Sequence, residues 1–219
     1  MLSSILLSLE VAAIATVLAA VAGVGLGYLL SRRRHRGWLA VEILFTLPMV
    51  FPPTLTGYYL VLLFGRHGPI GGPLFELTGL QLTFHPAGAV LAAAVVSFPL
   101  MLLSARAALE SVDPDLEKAA YTLGRSRWAV AWRITLPLAW RGLAVGAVLT
   151  FARALGEFGA TLMMAGNQPT MPLAIYRAWM SGGTAAATGF VVAHTLLAIG
   201  VLALALFVGR RYGRAFSRG

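Results

Sequence analysis

Five long apolar runs decide what this chain can become. They cover 5–30, 38–64, 87–109, 138–165 and 189–208, and each is continuous rather than alternating. A helix needs about 20 such residues to cross a bilayer. Hydrocarbon offers no water to satisfy backbone amides, so only helices and closed barrels span it, and unbroken apolar runs suit helices. Charged residues make up only 11% of the chain, against about 25% in an ordinary soluble domain. The sequence therefore predicts an all-α membrane protein of about five transmembrane helices, with residues 1–219 forming one domain.

The charge that remains is sorted by side. Of the 17 basic residues, 14 fall between runs one and two, between runs three and four or at their facing ends (Arg106 and Arg141), or in the tail after run five. Arg32, Arg33, Arg34 and Arg36 make the first group, and Arg210, Arg211, Arg214 and Arg218 the last. The positive-inside rule places that side in the cytoplasm, with the N-terminus outside and the C-terminus inside a multi-pass cytoplasmic membrane protein. The net charge of +9 is thus a topology signal to which anionic membrane lipid adds. It does not point to nucleic acid. No basic residue precedes Arg32, so the first run lacks a secretory leader's charged start. Without cysteine, thiolate catalysis, disulfides and Cys-ligated metal are excluded.

Within the runs, a few residues break the apolar pattern. In span one, Gly23, Gly25 and Gly27 permit close helix approach, and Glu10 lies near the outer end. Pro48, Pro52 and Pro53 remove backbone donors from the middle of span two, so that helix must kink or break. Broken backbone at membrane depth survives against protein or a wet cavity. Pro52, Pro53 and Thr54 are therefore either pathway lining or a structural kink. Span four places Arg153 and Glu157 four residues apart on one helix face. The pair is either an interhelical clamp or a pore-facing cation tempered by its neighbour. His194 in span five reads as a packed, hydrogen-bonded histidine. His67 and His85 lack ligand spacing, so no metal site or cofactor is expected. No GxxxxGK[ST] loop, GxSxG or HExxH occurs, so the chain carries neither an ATP site of that type nor these enzyme motifs.

One polar island, 113–137, separates runs three and four. Asp113 is a fitting N-cap, Pro114 a fitting first helical residue, and Asp115 and Glu117 suit the positive helix end. Leu116, Ala119, Ala120 and Leu123 form an apolar stripe, and Gly124 supplies a stop. Ser126 can cap a second short helix through Trp128 and Trp132, which Pro137 is expected to end. From periodicity alone this is an amphipathic surface helix between two spans.

The same island carries a longer pattern. Lys118-Ala119-Ala120, three residues, Gly124, nine residues, then Ile134, one residue and Leu136-Pro137 resemble the EAA loop of binding-protein-dependent ABC importer permeases. The family's Glu position is held here by Lys118, with Glu117 one place earlier. A charge contact made by that Glu is accordingly shifted or absent. LPMVFPPTLTGYYLVLLFGRHGPIG, FHPAGAVLAAAVVSFPLM and FARALGEFGAT are similar to the molybdate branch of the family, and the last string is shared with sulfate and thiosulfate permeases.

The resemblance implies a type I ABC importer permease fold with a cytoplasmic coupling helix. It also implies a homodimer working with two cytoplasmic ATPase subunits and an extracytoplasmic oxyanion-binding protein. Glu117, Lys118, Ala119, Ala120, Leu123 and Gly124 would meet the ATPase, which would hold all the hydrolytic chemistry. Arg153, Glu157, Pro52, Pro53 and Thr54 would border the substrate path. Molybdate, with tungstate, is the expected cargo. A sulfate or thiosulfate permease is the nearest rival. A stand-alone channel or carrier, and a hydrolase using Ser97 and His194, are rivals of other classes.

Overall fold

The computed structural model describes residues 1–32, 36–167 and 169–214, with the backbone alone for residue 36 and for 205–214. The basic turn residues Arg33, Arg34 and His35, and Arg218 of the tail, lie outside the described residues. Among the described residues ten α-helices follow one another: α1 (Leu2–Arg32), α2 (Arg36–Val50), α3 (Pro53–Phe64), α4 (Gly71–Thr78), α5 (Pro86–Glu110), α6 (Pro114–Thr122), α7 (Arg127–Val130), α8 (Leu136–Leu155), α9 (Gly159–Met164) and α10 (Met171–Arg214). A π-helical turn, Ala131–Thr135, joins α7 to α8. Among the described residues there is no strand.

The bundle is assembled around α5. Of its most apolar 18-residue window 61% is buried, against 6% for α10, whose long sides are left to lipid or to another chain. Small residues set the spacing. A β-carbon on Gly23 would stand 2.9 Å from Met101 Cγ, and one on Gly27 would stand 3.1 Å from the Arg106 nitrogen. Rising residue numbers on both partners make α1 and α5 parallel. The α2–α4 segment must therefore return the chain to the face it started from. Helix α8 runs antiparallel to α5: Gly142 opposes Ala108 and Gly146 opposes Ser104, with would-be Cβ contacts of 2.4 and 2.6 Å. This is the small-xxx-small packing by which helices associate in lipid. Gly25, expected to serve the same end, faces open space.

Three spans are interrupted. Helices α2 and α3 form a pair bent by 118° around Pro52-Pro53, as the prolines require. The expected continuous fourth span does not form. Gly156 ends α8, and α9 starts afresh at Gly159. The last span is broken at Gly182 and Gly183, the latter with φ 66°, a conformation open to glycine and strained for other residues. The arm of α10 before this break begins at Met171. It is anchored inward: Met171 and Leu173 are buried, and the Met171 amide donates to Ser8 Oγ of α1 at 2.7 Å.

Candidate transport pathway and coupling surface

The two broken spans meet. Gly159, the first residue of α9, lies so close to the start of α3 that a β-carbon would be 2.8 Å from Pro53 Cβ and 3.0 Å from the Thr54 nitrogen. One turn along, a β-carbon on Gly57 would be 2.9 Å from Ala160 Cα. Helices α3 and α9 therefore pack backbone against backbone, and Leu60, Ala92, Val96, Ala160 and Met164 close the contact with α5. Pro52, Pro53 and Thr54, singled out in the sequence for their helix break, thus stand beside the segment that follows Arg153 and Glu157. Pro52 and Thr54 are exposed and Pro53 is half-buried.

Glu157 lies in the α8–α9 turn rather than on a continuous helix face. Its Oε2 still pairs with Arg153 Nη1 at 2.8 Å, while Oε1 accepts the Ala160 amide at 2.7 Å. One carboxylate therefore caps the start of α9 and neutralises an intramembrane arginine. The two partners differ in access: the Arg153 side chain is 34% exposed and that of Glu157 only 1%. The guanidinium is the accessible member of the pair.

The polar island folds as α6, α7 and the π turn. Asp113 caps α6 by accepting the Asp115 amide at 2.9 Å, with Pro114 in the first turn. Its C-terminus is a complete Schellman motif: the Gly124 amide donates to Tyr121 O and the Arg125 amide to Ala120 O, with Gly124 at φ 77°. Ser126 caps α7 through the Ala129 amide at 3.3 Å. Pro137, expected to end this helix, does not. It sits in the first turn of α8, where its missing N–H is tolerated, and the π turn before it accommodates the mismatch.

The six residues expected at the ATPase divide between two faces. Lys118, Ala119, Leu123 and Gly124 are exposed, with Leu123 82% accessible, whereas Glu117 and Ala120 are buried within the chain. Lys118 pairs with Asp115 at 2.7 Å. That hydrogen bond holds the Asp115 carboxyl below its ordinary value and raises the Lys118 ammonium above its own. Burial, followed by nearby Tyr28, pushes the Tyr121 phenol up. Leu116, Trp128 and Trp132 extend the exposed apolar surface, the two indoles packed edge-on with centroids 5.7 Å apart.

Glu117 instead accepts the Thr135 hydroxyl at 2.6 Å and pairs with Arg32 at the end of α1. The sequence marked Arg32 only as one of a basic group and Thr135 not at all, because their partner lies 85 and 18 residues away. Arg106 likewise joins Glu42 of α2 to Glu110 of α5. The hydrolase alternative finds no geometry. Ser97 Oγ is buried and bonded to Ala93 O at 2.7 Å, and His194 Nδ1, expected to be hydrogen-bonded, is buried without a hydrogen-bond partner among the described residues. Among those residues no cluster of three metal-ligating side chains occurs.

This arrangement, with broken spans in the bundle and a capped helix pair on the basic side, is that of a type I ABC importer permease. The inward-facing MetNI methionine ABC transporter superposes with a TM-score of 0.72 at 17% identity, over 98% of this chain and 95% of that chain. A bacterial alginate ABC transporter, in complex with its alginate pentasaccharide-bound periplasmic protein, gives 0.75 at 17% identity, over 96% and 78%. At sequence level residues 7–218 match one family. The chain belongs to the binding-protein-dependent transport system inner membrane components. It is 42% identical over 212 residues to the molybdenum transport system permease protein ModB of Escherichia coli K12, covering 94% of this chain and 93% of that one. ModB of Haemophilus influenzae is 44% identical over 179 residues (80% and 78%), and ModB of Mycobacterium tuberculosis 41% over 214 (95% and 79%).

Proposed function

We propose that this chain is the membrane subunit of an ATP-driven molybdate importer, with tungstate as a second cargo. The observation that carries the reading is the 41–44% identity, over 80–95% of this chain, to ModB proteins of three genera. Two copies would enclose the path, and the sparsely packed α10 supports a pairing of this kind. The exposed face of α6 and α7, namely Leu116, Lys118, Ala119, Leu123, Gly124 and Trp128, would dock on a cytoplasmic ATPase. An extracytoplasmic binding protein would deliver the oxyanion. The basic ends of α1 and α5 face the cytoplasm on this reading, and the N-terminus lies outside.

Transport follows by alternating access. Closure of the ATPases displaces α6 and α7, and the bundle moves between inward and outward openings. Arg153, the accessible member of the buried pair, attracts a divalent oxyanion. Glu157 limits that attraction so that the ion can leave. Pro52, Pro53 and Thr54 border the same region.

The test is uptake of labelled molybdate into proteoliposomes holding the permease, ATPase and binding protein, with tungstate and sulfate as competitors. Tungstate should compete and sulfate should not; effective competition by sulfate would move the assignment to the sulfate and thiosulfate permeases. Uptake by the permease alone, without ATP, would identify a channel or secondary carrier.

A further inference from the structure

We infer that Glu117 is a positioning residue that ties the ATPase-facing helix α6 to the membrane bundle, and that it acts within the chain rather than on the ATPase. The inference rests on the coupling role proposed above for α6. Glu117 is 6% exposed although Leu116, Lys118 and Ala119 around it are exposed. Its Oε1 receives both the Arg32 guanidinium, from the last residue of α1, and the Thr135 hydroxyl at 2.6 Å. Thr135 is itself fully buried and is the last residue of the π turn, directly before α8. One carboxylate oxygen therefore joins three elements: the coupling helix, the inner end of α1 and the root of α8.

The chemistry of the tie makes it stiff. Pulling a carboxylate this buried away from its cationic and hydroxyl partners leaves it desolvated and unpaired, which is strongly unfavourable. Displacement of α6 thus carries Arg32 and Thr135 with it. The compliant element is the π turn, whose extra residue can be released into regular helix. The turn lies between α7 and Thr135, so it takes up the difference while α8 follows α6. Helix α8 carries Arg153, so a pull at Glu117 is delivered to the arginine of the pathway. This also accounts for Glu117 standing one position before the family's Glu: its carboxylate faces the bundle, and exposed Lys118 faces outward.

The experiment compares Glu117→Gln, Thr135→Val and the charge swap Arg32→Glu/Glu117→Arg in the assembled complex with ATPase and binding protein. The readout is ATP hydrolysed per molybdate imported, normalised to the ATPase retained on the permease. Glu117→Gln should raise that ratio by about tenfold or more, and the swap should recover most of the loss. An unchanged ratio overturns the inference. So does release of the ATPase by Glu117→Gln that the swap leaves uncorrected, since that places Glu117 on the docking surface.

A second readout does not depend on the cargo. The chain has no cysteine, so Thr122→Cys on α6 and Val145→Cys on α8 can carry a unique pair of spin labels. Their separation should stay constant across nucleotide states with Glu117 present and change with Gln in its place. Equal behaviour in both overturns the tie. A wild-type complex that shows the constant separation yet imports no molybdate would overturn the proposed cargo and leave the tie standing.

Discussion

Gly159→Ala tests the contact on which the apposition of the two broken spans depends. The new methyl would stand 2.8 Å from Pro53 Cβ, 3.0 Å from the Thr54 nitrogen and 3.2 Å from the Pro53 carbonyl carbon. These are ring and backbone atoms that cannot rotate aside. Helix α9 must therefore withdraw from α3 by several tenths of an ångström, and the layer of Leu60, Ala160 and Met164 behind it loosens. Overpacking of this kind costs about 1–3 kcal/mol. For a chain of this size each kcal/mol moves the midpoint by about 2–4 °C, so Tm should fall by ~2–12 °C. Gly25→Ala is the matched control. It sits inside α1 with nothing within 4 Å of the added carbon, and removing a helix glycine there should stabilise by about 0.5–1 kcal/mol. Tryptophan fluorescence melts of both variants in one detergent read the difference. Equal melting of the two would refute the backbone-to-backbone packing of α3 on α9.

Further outcomes follow from the same geometry. Arg153→Gln should destabilise more than Glu157→Gln, because it strands a carboxylate with 1% exposure, whereas the arginine left by the second variant is 34% exposed. Breaking a buried pair costs about 3–5 kcal/mol, and the reverse order in denaturation midpoints would contradict the assignment. Arg153→Gln should also lower molybdate uptake per ATPase complex, and uptake at the wild-type rate would remove Arg153 from the path. Asp113→Ala should cost about 1 kcal/mol by removing the α6 cap, visible as faster hydrogen exchange of the Asp115 amide. The Asp115 carboxyl is held down by Lys118. Its contribution is therefore complete above the unfolded value and fades as pH falls through the lowered folded value. NMR titration should find Asp115 below the ordinary carboxylate midpoint, and Lys118→Ala should bring it back up.

Much of the candidate site was legible because its signals are local. Asp113, Pro114 and Gly124 mark the ends of α6, since capping and left-handed backbone depend on residues a few places apart. Pro52-Pro53 announced the α2–α3 break for the same reason. The α8–α9 break was less audible. Its signal was Gly156 followed by an acid three residues before the Ala160 amide, set inside an apolar run that reads equally well as continuous helix. Pro137 misled because a proline that ends one helix and a proline that opens the next look alike in sequence.

Charge and hydropathy along the chain were enough to determine that it crosses a membrane, which side is basic, and where the polar island falls, because each depends on composition within a window. Folding alone decided that Glu117 turns inward to Arg32 and Thr135, that Gly159 meets Pro53, and that Gly23 and Gly27 pack while Gly25 does not. Those outcomes depend on which face of one helix meets another across tens of residues. A linear pattern does not specify that choice; it is made when the helices find the one packing that satisfies small-residue contacts and buried charge together.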